Sequence, residues 1–152
     1  MFLILSYLIS LVTAEVAMSG TTLTITNEAA IESKQVANYK TATALVVTST
    51  GAVEIKDQAF QGFTALASVS IQGTQISIQS TSFTGCTAIK SVSLNSPTLN
   101  IQSGAFQSAT SLSIKYTGAS FNAGMTSFVT SNVEEFDIDV TGDCTFGLAA
   151  AL

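Results

Sequence analysis

The sequence predicts a repeat solenoid, wound in about six turns of roughly 23 residues, with one short parallel β-strand per turn and an irregular convex side containing little helix. Three observations predict it. Ile55, Ile78 and Ile101 recur at a spacing of 23, as do Phe60, Phe83 and Phe106, and so do Leu66, Ile89 and Leu112. Three apolar columns in register are the mark of a chain that stacks one supersecondary unit on the next, because a single unit cannot bury its apolar set alone.

The repeated units read IKDQAFQGFTALASVSI from Ile55, IQSTSFTGCTAIKSVSL from Ile78 and IQSGAFQSATSLSIKY from Ile101. Backward, Ile31, Val36 and Ala42 keep the same offsets in a weaker unit. Forward, Ala123, Phe128, Val133, Phe136 and Ile138 supply another. Each unit ends in a strand, giving six positions: Leu23 and Ile25, Leu45 and Val47, Val69 and Ile71, Val92 and Leu94, Ile114 and Tyr116, Phe136 and Ile138. Alternate residues of a strand face opposite ways, so Val69 and Ile71 point inward while Ser68, Ser70 and Gln72 point out. The Ile and Phe columns close the core from the return side of each coil. Gly62 and Gly85 suit tight backbone turns, and the next repeat carries Ser108 at that place.

Two segments flank the solenoid, which is expected over residues 15–140. Residues 1–14, MFLILSYLISLVTA, form an apolar run shorter than the roughly 20 residues that span a bilayer. Val12 and Ala14 stand where signal cleavage wants small residues, so this segment reads as a signal peptide removed after Ala14. Residues 141–152 read as a short C-terminal tail. No further run of membrane length follows, so the expected localisation is extracellular, secreted or peripherally attached to the cell surface, with no transmembrane anchor after cleavage. An oxidising compartment permits a disulfide, but Cys86 and Cys144 lie more than two turns apart. At about 4.8 Å per stacked strand that is about 10 Å or more, beyond the roughly 7 Å that a disulfide allows between Cα atoms. Cys86 therefore reads as a small buried hydrophobe, and Cys144 as free or paired with another chain.

Composition limits the chemistry. The 152 residues are 47% hydrophobic and 10% charged, with no His, and all five basic residues are Lys. Soluble domains average about 25% charged residues, so hydroxyls must keep this chain wet; Ser and Thr make up roughly a quarter of it. Without His or Arg there is no catalytic triad, no His-bearing metal site and no bidentate phosphate clamp. A net charge of −5 disfavours nucleic acid and anionic membranes as partners. No catalytic or cofactor-binding residue is expected, and no cofactor.

Two constellations stand out. Half of the carboxylates, Glu134, Glu135, Asp137, Asp139 and Asp143, fall within ten residues. Glu135, Asp137 and Asp139 on one strand face make a weak Ca²⁺ candidate. Asp137 to Gly142 mimics the opening of an EF-hand loop, but the twelfth position counted from Asp137 is Leu148 rather than the bidentate Glu such a loop needs. The simpler reading is a charged terminal strand that discourages edge-to-edge pairing. The second constellation is the outward row Thr24, Val46, Ser70, Ser93, Lys115 and Asp137, flanked by Ser68, Ser91, Ser113 and Glu135. Repeat proteins commonly bind along such an extended concave face, so Ser68, Ser70, Ser91, Ser93, Ser113 and Lys115 are the candidate binding surface; the competing reading is a merely solvated strand face.

The repeat resembles the BspA-like leucine-rich repeats. Leu66-x-x-Val69-x-Ile71 has the L-x-x-L-x-L spacing. Ala59-Phe60 and Ala105-Phe106 carry the family's Ala-Phe pair, and Gly85-Cys86 after Phe83 carries its Gly-Cys pair; Gly62-Phe63 keeps the Gly and replaces the Cys. The resemblance covers roughly residues 31–138, best from 55 to 116. It implies a secreted or surface-associated, non-catalytic protein-binding or adhesion module, with an extracellular host or matrix protein or a glycan as partner. The alternative is a truncated or scaffold-only repeat protein with no ligand of its own, and a distant third is an extracellular hydrolase.

Overall fold

A computed structural model describes residues 13–128 and 131–147. Strands β1 (Glu15–Ser19) and β2 (Thr22–Thr26) form an antiparallel hairpin. After them come β3 (Ala30–Ile31), β4 (Ala44–Thr48), β5 (Ala52–Ile55), β6 (Ser68–Gln72), β7 (Gln75–Ile78) and β8 (Ser91–Asn95). The series ends with β9 (Thr98–Ile101), β10 (Leu112–Gly118), β11 (Ser120–Gly124), β12 (Val133–Val140) and β13 (Cys144–Gly147). Beyond β2 the strands alternate between two sheets. One has the order β1-β2-β4-β6-β8-β10-β12 and the other β13-β11-β9-β7-β5-β3, parallel throughout except at β1. The chain is thus a solenoid of about five complete turns at about 23 residues each.

The inward residues of the first sheet stand in the columns expected from the repeat. Leu45, Val69, Val92 and Ile114 pair in register, as do Val47, Ile71, Leu94 and Tyr116. All are almost fully buried. The Ile column lies on the second sheet, where Ile31, Ile55, Ile78, Ile101 and Ala123 follow one another across β3, β5, β7, β9 and β11.

The return side, expected to be irregular with short strands or single helical turns rather than a second sheet, is more regular than that. Each turn carries a second strand, and these assemble into a continuous six-stranded sheet. The reason lies in a further apolar column two residues before the Ile column, Val53, Ile76, Leu99 and Phe121, all buried. Two inward residues on alternate positions suffice to fix a short strand once the coil beneath supplies a hydrogen-bonding edge. Helix is confined to α1 (Ser33–Val36) and short 3₁₀ turns at Ala37–Tyr39 and Met125–Phe128.

The stretch after each Ile is also bonded from coil to coil. Phe60 N donates to Ser82 O, Gly62 N to Thr84 O, Phe83 N to Ala105 O, Gly85 N to Gln107 O and Phe106 N to Ser127 O, at 2.8–3.1 Å. Here the phenylalanine rings pile up: Phe60–Phe83, Phe83–Phe106 and Phe106–Phe128 have centroids 5.1, 5.0 and 5.9 Å apart and planes within 8° of parallel. The separation follows the rise of about 4.8 Å per stacked strand, and such offset stacks add about 0.5–1.5 kcal/mol per pair beyond burial. Gly62 and Gly85 have φ of +71° and +76°, and Ser108 is forced to +74° in the same turn.

Two polar groups sit inside this wall. Ser82 and Ser127 are fully buried at the residue before the stacked ring, where Ala59 and Ala105 stand in the neighbouring turns. The Ser82 hydroxyl lies 2.6 Å from Gln79 O and 3.0 Å from Lys56 O, and that of Ser127 lies 2.9 Å from Gln102 O. Each clips its turn to the one before.

The proposed leader at 1–14 falls largely on residues 1–12, outside the described residues. Of the stretch read as a tail, Cys144–Gly147 forms β13, and 148–152 lie outside. Cys86 is buried with its Sγ 3.0 Å from Phe60 O, Cys144 is exposed, and both are free thiols.

Two substitutions test this packing by reversible denaturation. Phe83→Ala removes the ring between two stacked partners and should lower stability by about 3–5 kcal/mol, as for other buried large-to-small changes; an unchanged midpoint would contradict the stack. Ser108→Gly should raise stability by about 0.5–1 kcal/mol, since left-handed backbone costs an L-residue about 1–2 kcal/mol and glycine's extra chain entropy returns part of that gain.

Candidate functional site

Parallel pairing carries the outward residues of the first sheet into straight rows. The central row is Thr24, Val46, Ser70, Ser93, Lys115 and Asp137, each in register with the next. Beside it run Thr22, Ala44, Ser68, Ser91, Ser113 and Glu135. All six candidate residues, Ser68, Ser70, Ser91, Ser93, Ser113 and Lys115, therefore share one face. Ser70, Ser91, Ser93 and Lys115 are exposed, and Ser68 and Ser113 are half-buried.

A third row, Thr26, Thr48, Gln72, Asn95, Thr117 and Asp139, completes the face. Of this row, the sequence alone singles out Gln72 as outward-facing and Asp139 as part of the acidic cluster. The signal for the rest was present, because each lies two residues beyond a member of the central row and so faces the same way.

Rows about 4.8 Å apart along the stack, filled with hydroxyls and amides, offer donors and acceptors at regular intervals with little side-chain entropy to lose on contact. The face is graded. Its middle is neutral, while its far end carries Lys115 among Glu135, Asp137 and Asp139. The Lys115 ammonium donates to Asp137 Oδ2 at 2.6 Å. That hydrogen bond, then the charge of Asp137, then the charges of Asp139 and Glu135 hold the ammonium above its ordinary pKa. Both partners are well exposed, so this ion pair orients side chains more than it stabilises the fold.

The proposed Ca²⁺ carboxylates Glu135, Asp137 and Asp139 do line one face of β12, as the alternation requires. Asp137, the middle one, is already bonded to the Lys115 ammonium from the neighbouring strand. Among the described residues no group of three His, Cys, Asp or Glu side chains is arranged to hold a metal ion.

Ser91, Ser113, Lys115, Glu135 and Asp137 line a shallow depression of about 160 Å³. Small-molecule pockets run to about 300–1,000 Å³, so the depression suits one side chain or one sugar hydroxyl of a larger partner. The chain has two thiols. Burial pushes the Cys86 thiol up to about 12, so at neutral pH it is protonated and inert, the thiolate being the reactive form. Titrating the native chain with a thiol reagent near pH 8 should therefore modify Cys144 alone, with Cys86 reacting only after denaturant is added. Immediate reaction of both would contradict the burial of Cys86.

No curated protein and no solved structure matches the chain. The family model for the BspA type leucine-rich repeat region matches in six copies over residues 23–144. The matched span covers the stacked turns just described, and the Ala-Phe and Gly-Cys pairs lie at the ring stack and at the left-handed corner. The chain belongs to the BspA-type leucine-rich repeat family.

Proposed function

We propose that the chain is an extracellular, non-catalytic binding module that meets a protein or glycan across the hydroxyl-rich face of its first sheet. The observation that carries this reading is the register of that face: three straight rows over six strands, filled with exposed or half-exposed hydroxyl and amide side chains except for Ala44, Val46 and the charged far end. A solvated surface needs polar residues but no such uniformity. The membership in a repeat family whose units typically serve binding supports it, as does a chain without His or Arg. Secretion rests on the apolar leader ending at Ala14, and adhesion to a host or matrix component on the family resemblance. Among the described residues no helix is long and apolar enough to cross a membrane.

A second reading, a scaffold repeat with no ligand of its own, draws on the last coil, where Phe136 and Phe146 are 41% and 46% exposed. A repeat that awaits further partners at its end has such a surface.

The test is the double variant Ser70→Lys with Ser93→Lys. Both positions are exposed, so the thermal midpoint should stay within a few degrees, while adhesion to matrix-coated or glycan-coated surfaces should be lost. Adhesion that survives both changes would remove the face from the site.

A further inference from the structure

The two ends of the solenoid are closed differently. At the first end β1 lies antiparallel against β2, and its Val16 and Met18 pack on the core. At the other end β12 and β13 are the outermost strands of the two sheets. Among the described residues nothing covers them. The stacked phenylalanine column runs out at Phe128, which meets Phe136 edge-on at 5.2 Å, and Phe136 meets Phe146 at 6.1 Å. Phe136 and Phe146 are the large hydrophobics left exposed among the described residues.

The free edge of β12 has a definite chemistry. Along its eight residues, Phe136, Ile138 and Val140 alternate toward the core with Glu135, Asp137 and Asp139 toward the outer face. On its paired side, the residue in register with Asp137 is Lys115, and the two bond at 2.6 Å. The strand already accepts one cation from the strand beside it. A second copy of the chain is a poor occupant. Its own β12 would bring three carboxylates against three, and the outward residues of β1, Glu15, Ala17 and Ser19, include a carboxylate and no base. Like charges placed opposite one another across strands repel.

We infer that the open end is a docking site for a β-strand of a partner protein in which basic and apolar residues alternate. Backbone groups of the incoming strand pair with the free edge of β12. Its apolar side chains cover Phe136 and Ile138, and its Lys or Arg side chains stand in register with Glu135, Asp137 and Asp139, repeating on the free side what Lys115 does on the other. This surface is separate from the hydroxyl face, and neither depends on the other.

The probe is a capped synthetic peptide of alternating Lys and Val, carrying a fluorophore and added to the full chain; a Glu-Val peptide of equal length serves as control. The Lys-Val peptide should bind, high salt should weaken it, and hydrogen exchange over residues 133–140 should slow on binding. Replacing Asp137 and Asp139 together by Asn should weaken binding roughly tenfold by removing the carboxylates that the incoming bases face, with the thermal midpoint within a few degrees, since the exposed Lys115–Asp137 pair adds little to the fold. The Ser70→Lys, Ser93→Lys variant should bind the peptide as the parent does. Equal binding of both peptides, binding without protection of 133–140, or loss of binding in the Ser70→Lys, Ser93→Lys variant would each overturn the inference. So would a concentration-dependent dimer abolished by Phe136→Ser, which would assign the end to a second copy. A chain ending at Gly147 that binds much more tightly than the full chain would assign the end to residues 148–152.

Discussion

The rest of the structure depends on one constraint, the hydrogen bonding of each coil to the next at a fixed rise of about 4.8 Å. The coil touches its neighbours through β-ladders on two sheets and through amide-to-carbonyl bonds along the stretch that bears the phenylalanines. Every position in a turn therefore faces its own counterpart one turn away. Apolar positions must face apolar positions, rings must stack on rings, and the left-handed corner recurs through three successive turns whatever residue occupies it. Ser108 shows how firmly the constraint holds, since it takes the φ of the glycines before it. Ser82 and Ser127 show the complementary case, polar groups tolerated in the wall because each finds carbonyls of the preceding turn.

The same constraint explains what is legible in the sequence. The columns through Ile55, Phe60, Leu66 and Val69 can be read directly, because a stacking repeat writes its core once per turn at constant spacing. The second strand of each turn is harder to see. Its inward pair, such as Ile76 and Ile78, is flanked by Gly73, Thr74, Gln79 and Ser80, a short alternation that resembles a loop until a neighbouring edge is supplied. β1 has no counterpart in the repeat and leaves no periodic trace. The burial of Ser82 is equally hidden, since serine's place is decided by carbonyls of another turn. On the candidate face the row through Ser70 and Ser93 follows from alternation alone, whereas the seating of Lys115 between carboxylates follows from the 22-residue offset between β10 and β12.

The charge distribution acquires a meaning from this geometry. A chain with 10% charged residues keeps its longest polar surface neutral and gathers half its carboxylates at the last coil. A neutral hydroxyl face favours wide, adaptable hydrogen bonding over electrostatic steering, as a binding module for a protein or glycan would use. The acidic strand at the end guards a free edge against its own kind while leaving it complementary to a basic strand. One stacking rule thereby produces a broad lateral face and a selective terminus.

The central claim is that the turns are interchangeable units held by register. Removing residues 78–100, one whole turn, joins Ser77 to Ile101 and sets Phe106 over Phe60 with every column intact. The decisive measurement is the thermal unfolding of this shortened chain followed by circular dichroism. The account predicts a β-sheet spectrum and a single cooperative transition at a lower midpoint, as expected when one repeat and one interface are lost. A chain without a cooperative transition would contradict it.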